Sequence, residues 1–233
     1  DDFYVEIYDQ LQKTEERTSW EVQQLVNSID FNKNSVILDI GCGTGHLVNK
    51  LQKLKYNVYG VDNSRAMISA CENKFSDINV QLGDVSNPML YDKNTFTHIL
   101  CTNFTLYEMK DKNQLLGNCH HWLVPNGLFI VHIVDRKNFS PIIPLGKPPI
   151  FDNPQKYSKM RINDTLIDFL DFTYKSSYNF NQIEKNIVNR KETFTDILTK
   201  NVRQNDLTMQ MEDIKELLVL FHKNGFKIGR AHV

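Results

Sequence analysis

The sequence predicts an α/β protein built on a doubly wound, mostly parallel sheet with helices on both faces. Three observations carry that expectation. Short apolar runs alternate with amphipathic segments from residue 22 to residue 134. A glycine-rich turn joins the first such run to the helix that follows it. After Asp135 the rhythm breaks into a proline-rich stretch and segments of weak alternation, which predict an antiparallel insertion in the C-terminal half.

The elements follow in order. Val22, Leu25, Val26 and Ile29 recur at helical spacing. Residues 36–40 form a short apolar run ending in glycines, as a buried parallel strand does. Leu47, Val48, Leu51 and Leu54 mark a helical face, and residues 58–61 a second strand closed by Asp62. Ser64 caps a helix carrying Met67, Ala70, Cys71 and Phe75. Ile78, Val80 and Leu82 alternate as a strand does, and residues 98–102 give a fourth. Leu115, Leu116, Cys119, Trp122 and Leu123 make a helix, Pro125-Asn126-Gly127 a turn, and residues 128–134 a fifth strand. Such β-α-β repeats take right-handed crossovers, and ligands bind outside the carboxyl ends of the strands.

Five of the seven prolines (Pro141, Pro144, Pro148, Pro149 and Pro154) fall in residues 140–154, which excludes regular helix or a central strand there. Residues 166–180, 183–195 and 202–211 then read as antiparallel strands. Ile214, Leu217, Leu218 and Phe221 form a last helix closed by Asn224-Gly225, and residues 226–233 a last strand. We therefore expect one domain over 1–233, with an insertion at 136–210.

Composition narrows the function. A net charge of -1 and scattered basic residues argue against nucleic acid as a partner. The four cysteines, Cys42, Cys71, Cys101 and Cys119, form no C-x-x-C pair and read as reduced, small apolar residues, which favours a reducing compartment. No apolar run reaches membrane-spanning length and no signal-peptide pattern is read at the start, so a cytoplasmic protein with no membrane partner is expected. No H-x-x-x-H or carboxylate cluster suggests a metal.

The chemistry resides in Leu38-Asp39-Ile40-Gly41-Cys42-Gly43-Thr44-Gly45-His46-Leu47. Glycines permit positive φ and close backbone approach, and the following helix aims free N–H groups at a ligand. A dinucleotide fingerprint needs G-x-G-x-x-G, but here Gly45 comes one residue early and His46 holds that place. Asp39, two residues ahead of the loop, would repel a pyrophosphate and suits a ligand bearing an ammonium and a sulfonium.

The stretch LDIGCGTG resembles the cofactor motif of class I S-adenosylmethionine-dependent methyltransferases, specifically the widespread small-molecule type. The likeness extends to Asp62 at the end of the second strand, Gly83-Asp84-Val85 after the third and Cys101-Thr102-Asn103 after the fourth. It implies a Rossmann-like sheet of seven strands and S-adenosylmethionine as cofactor, with S-adenosylhomocysteine as product. It further implies cofactor contacts from Asp39, Gly41, Cys42, Gly43, Gly45, Asp62, Asn63, Met67, Asp84, Val85, Thr102 and Tyr8. Asp62 would hold the ribose and Asp84 the adenine, while Thr102 lines the methionine end. Each has a plainer role as well: Asp62 as a helix cap, Asp84 as a turn residue, Asp39 as a holder of the loop, Cys42 as a small filler.

Five polar groups remain as catalytic candidates: Tyr4, Tyr8, Asn103, Tyr107 and His132. Tyr4 and Tyr8 could instead pack an amphipathic helix on the core, Asn103 and Tyr107 could be packing or surface, and His132 a satisfied core histidine. The resemblance implies methyl transfer to a small-molecule acceptor, with the 136–210 insertion as acceptor lid. A protein methyltransferase and a non-catalytic cofactor-binding partner stay open. A nicotinamide oxidoreductase fits the glycine spacing poorly, and the segment after the fourth strand carries no base-methylation signature. Oligomeric state is not legible.

Overall fold

The computed structural model describes residues 2–142, 154–181 and 183–229. The chain divides into two compact units. The first comprises Asp1–Leu106, Asp111–His132 and Leu218–Val233, and the second Tyr107–Lys110 and Ile133–Leu217.

In the first unit, helices α1 (Asp2–Leu11) and α2 (Thr14–Ser28) precede five strands. These are β1 (Val36–Ile40), β2 (Asn57–Asp62), β3 (Val80–Leu82), β4 (Phe96–Cys101) and β5 (Leu123–Val131). All pair in parallel, in the order β3-β2-β1-β4-β5. The helices between them are α3 (His46–Lys53), α4 (Arg65–Lys74), the four-residue α5 (Thr105–Glu108) and α6 (Lys112–Trp122). The order runs outward from β1 in both directions, so right-handed crossovers lay helices on opposite faces. The reversal falls between β1 and β4, where the loops leaving their carboxyl ends open a crevice.

Val36–Ile40 is a strand because nearly every side chain in it can be buried: Ile37, Leu38 and Ile40 are fully so. Ile37 packs with Leu47, Val48 and Leu51 of α3, Val22 and Leu25 of α2, Val58 of β2 and Leu100 of β4. Ser64 caps α4 by accepting the Met67 N–H at 3.3 Å, as its sequence position predicts. The last helix, α7 (Ile214–Lys223), ends at Gly225 with φ 88°, where the Phe226 N–H returns to the Phe221 carbonyl at 3.0 Å.

Several expectations are corrected. The parallel sheet has five strands among the described residues, not seven. Pro125-Asn126-Gly127 lies inside β5 rather than ahead of it. Leu123 pairs with Phe96 and Leu128 with His98, so the extra residues form an irregularity, with Asn126 at φ 64°. Residues 226–229 are not a strand, and 230–233 lie outside the described residues, as does 143–153 of the proline-rich stretch.

The second unit holds a four-stranded antiparallel sheet of β6 (Asp164–Asp168), β7 (Phe172–Phe180), β8 (Ile187–Asp196) and β9 (Val202–Gln210), in that order. The segment expected as one strand over 166–180 is a hairpin, with Phe169 stacked on Phe172 at 4.6 Å across its bend. One face of the sheet is buried, and Tyr174, Ser176 and Tyr178 oppose Phe194, Glu192 and Arg190 across it. Glu192 accepts from the Tyr174 hydroxyl (2.7 Å), Arg190 (2.5 Å) and Asn205 (2.9 Å), which compensates the buried charge pair.

Candidate functional site

The loop between β1 and α3 is held open by its glycines, all three at positive φ (69°, 54° and 77° for Gly41, Gly43 and Gly45). They serve different ends. A Cβ on Gly41 would lie 2.5 Å from Thr105 Oγ1, and one on Gly45 would lie 2.7 Å from Cys71 Sγ, so these two permit packing inside the protein. A Cβ on Gly43 would meet nothing nearer than Tyr8 Cε1 at 4.0 Å. Of the three, Gly43 is the one whose bare backbone faces open space. Tyr8 of α1 lies on that side, and Tyr4, one turn earlier, packs against it with ring centroids at 5.8 Å.

The loop backbone is pinned at its flanks. Gly41 and Cys42 donate to the Val61 carbonyl at 2.8 and 3.1 Å. Asp62, at the end of β2, accepts the Gly43 N–H at 2.9 Å and the Ser64 N–H at 2.8 Å. Asp62 therefore does hold the loop and the start of the next helix. Asn63 beside it is exposed, and Met67 is half-buried on α4. Cys42 is buried, in thiol contact with Cys71; that hydrogen bond, then burial, raises its pKa, so it is no nucleophile. Cys71 in turn reaches the Gly43 carbonyl at 3.0 Å.

Asp39 is buried, and its Oδ1 has no hydrogen-bond partner among the described residues. Burial first, then the charges of Glu21 and Asp62, push its pKa well above the ordinary value, with Arg17 opposing. Arg17 and Glu21 pair across one turn of α2 at 3.6 Å. Sequence reasoning missed both. Their i, i+4 spacing was visible, but it reads as a surface pair until α2 is placed over β1. Three carboxyl groups against one guanidinium leave this cluster short of positive charge.

A second group missed in the sequence is Asp9. It accepts from Thr44 Oγ1 at 2.5 Å, approaches His46 Nε2 at 3.1 Å and pairs with Lys74, tying α1 to the glycine loop, α3 and α4. Burial alone would raise its pKa, but the hydrogen bonds from His46, Lys74 and Thr44 outweigh that and hold it well below the usual carboxylate range.

After β3, Asp84 is exposed and accepts the Ser86 N–H at 2.9 Å, a turn role. Val85 is buried, and its carbonyl accepts from Asn118 at 2.9 Å. After β4, Thr102 is half-buried and Asn103 sits at φ 53°, which asparagine tolerates better than most residues. His132, just past β5, donates its N–H to the Cys101 carbonyl at 3.0 Å. The residue is exposed, although protein atoms surround much of its ring. Burial, then the Arg17 charge, lower its pKa, with a hydrogen bond to the Asn103 backbone opposing, so the imidazole is neutral near pH 7. Tyr107, in the second unit, is fully buried, and its hydroxyl accepts the Val134 N–H at 2.8 Å. That engagement is a structural one.

Comparison with known proteins follows the same lines. Residues 37–127 match the family model described as a methyltransferase domain. The carboxy-S-adenosyl-L-methionine synthase of Nautilia profundicola is 24% identical over 208 residues, covering 85% of this chain and 79% of that protein. Among solved structures, an S-adenosylmethionine-dependent methyltransferase from Clostridium acetobutylicum aligns over 95% of this chain and 85% of its own, at 20% identity and TM-score 0.66. S-adenosylmethionine-bound CalS10, an amino pentose methyltransferase from Micromonospora echinaspora, aligns over 91% and 82%, at 14% identity and TM-score 0.63. Likeness at these identities shows a shared fold.

Proposed function

We propose that the chain is a class I S-adenosylmethionine-dependent methyltransferase that transfers a methyl group to a small-molecule acceptor. S-adenosylmethionine is its cofactor. The observation that carries the placement of that cofactor is the open backbone at Gly43, flanked by Asp62 and by the partnerless oxygen of buried Asp39. These residues fit a ligand with two positive centres and reject a pyrophosphate. When bound, S-adenosylmethionine supplies an electrophilic methyl on a sulfonium sulfur.

On this reading Gly41, Gly43 and Gly45 shape the loop, and Gly43 with Tyr8 bounds the space above it. Asp62 and Asn63 hold the ribose, with Asp62 keeping its two backbone partners. Met67, Asp84 and Val85 border the adenine, and Thr102 with Asp39 the methionine end. The protein's contribution is orientation and exclusion of water. Where the acceptor must shed a proton, neutral His132 is the group able to take it, with Asn103 beside it to orient a polar acceptor. Tyr4 packs its tilted ring against Tyr8 and supports that wall.

On this reading the insertion at 136–210 carries recognition of the acceptor. The test is direct. The protein is incubated with methyl-labelled S-adenosylmethionine and a cell extract, which is then split by ultrafiltration. Label in the filtrate supports a small acceptor, and label confined to retained macromolecules overturns it.

A further inference from the structure

We propose that Arg136 and Arg161 form an oxyanion site in the second unit that recognises a carboxylate or phosphate group on the methyl acceptor. The proposal rests on the reading of the chain as a small-molecule methyltransferase and names the chemistry of its acceptor.

Both guanidinium groups are gathered on one ring. Arg161 Cζ lies 4.1 Å and Arg136 Cζ 5.6 Å from the centroid of Phe180. An aromatic face attracts a cation, but two cations on one ring also repel each other. Among the described residues neither arginine has a carboxylate at ion-pair distance, unlike Arg190 and Lys185 in the same unit, which are paired with Glu192 and Glu216. The nearest acidic neighbour in sequence, Asp135, accepts from the Lys137 N–H at 2.9 Å and the Asn138 side chain at 2.7 Å; its charge reaches Arg161 without forming an ion pair.

Neutral groups aim the pair. Arg161 Nη2 donates to the Arg136 carbonyl at 2.9 Å and to that of Lys137, and Arg136 Nη2 reaches the Asn181 carbonyl at 3.5 Å. Carbonyls orient a guanidinium without cancelling its charge. Arg136 Nε is shut off from solvent and has no hydrogen-bond partner among the described residues. Burial first, then the charge of Arg136, lower the pKa of Arg161, with the charge of Asp135 opposing, so the juxtaposition is felt electrostatically. Two like charges held together with no carboxylate at ion-pair distance among the described residues leave room for a closer counter-ion. A planar oxyanion supplies one, and the guanidinium fork matches carboxylate and phosphate alike. Phe139 and Tyr178, with centroids 6.3 and 6.4 Å from Phe180, extend an aromatic wall beside the pair for the organic part of the acceptor.

The test uses the whole chain and two probes. Inorganic phosphate and succinate are titrated calorimetrically into the wild type, R136Q, R161Q and R161K, with K175Q as a surface-charge control and sodium chloride at matched ionic strength. S-adenosylhomocysteine is titrated into the same samples. We expect one probe to saturate a single site, with affinity about tenfold or more weaker in R136Q and R161Q, intermediate in R161K and unchanged in K175Q. Saturation by phosphate assigns a phosphorylated acceptor, and saturation by succinate a carboxylate. The proposal is overturned if neither probe saturates the wild type, if K175Q loses as much as R161Q, or if both arginine variants bind as the wild type does. Failure of the wild type to bind S-adenosylhomocysteine would instead count against the methyltransferase reading itself.

Discussion

Replacing Gly43 with alanine separates contact with a ligand from strain in the loop. Gly43 and Gly41 share a left-handed backbone, φ 54° and 69°, so either alanine carries a strain of about 1–2 kcal/mol. At Gly43 the new methyl group meets nothing within the protein nearer than Tyr8 at 4.0 Å, so strain is the whole cost. At Gly41 it would press on Thr105 Oγ1 and Cγ2 at 2.5 and 2.6 Å, which adds about 1–3 kcal/mol of overpacking. The unliganded Gly43→Ala protein should therefore melt only a few degrees below the wild type, and Gly41→Ala clearly lower. Binding should rank the other way. A methyl group intruding on a close-packed cofactor costs about 1–3 kcal/mol, or about 5- to 150-fold in affinity for S-adenosylhomocysteine. Differential scanning fluorimetry reads the first effect and titration calorimetry the second. A Gly43→Ala protein that binds as tightly as the wild type would refute the idea that the loop backbone lies against the ligand.

Other perturbations test the surrounding groups. Asp39, with its raised pKa, should release its proton when a cationic ligand arrives, so affinity for S-adenosylmethionine rises with pH through that pKa. Calorimetry in buffers of different ionisation enthalpy should show the released proton, and Asp39→Asn should abolish the effect. Asp9 titrates below its ordinary 3.8 in the folded state, so its contribution is complete above that pH and is lost as pH falls through the depressed value. The urea midpoint of Asp9→Asn should therefore lie below the wild type from pH 5 to 8 and converge with it in acid. Glu192→Ala removes the carboxylate paired with buried Arg190 and should cost about 3–5 kcal/mol in denaturant unfolding. Cys101, buried with its thiol pKa pushed well up, should resist alkylation until the protein unfolds, which mass spectrometry reads directly.

What the sequence reveals is what local physics decides. The glycine loop was legible because positive φ is a demand a single residue answers, and β1 and β4 because nearly continuous burial leaves nearly continuous apolar runs. Pro125-Asn126-Gly127 was misplaced because its turn chemistry is real. Only the pairing of Leu123 with Phe96 shows that a strand absorbs it. The bend at residues 169–171 carries no glycine or proline to announce it. Arg17, Glu21 and Asp9 were invisible for another reason. Their spacing is that of ordinary surface helices, and their significance arises from what the fold brings against them: Asp39 in one case, Thr44, His46 and Lys74 in the other. Tyr107 was the reverse, a polar residue that sequence position suggested for chemistry and that the structure occupies with the Val134 backbone.

Backbone amide NMR of the isotopically labelled protein, with and without S-adenosylhomocysteine, tests the central claim most directly. The account predicts that the largest shift changes fall on Gly43, Gly45, Asn63, Val85, Thr102 and Asn103, the loops at the carboxyl ends of β1 to β4. Saturable binding whose shifts leave Gly43 and Asn63 untouched and cluster elsewhere in the chain would contradict it.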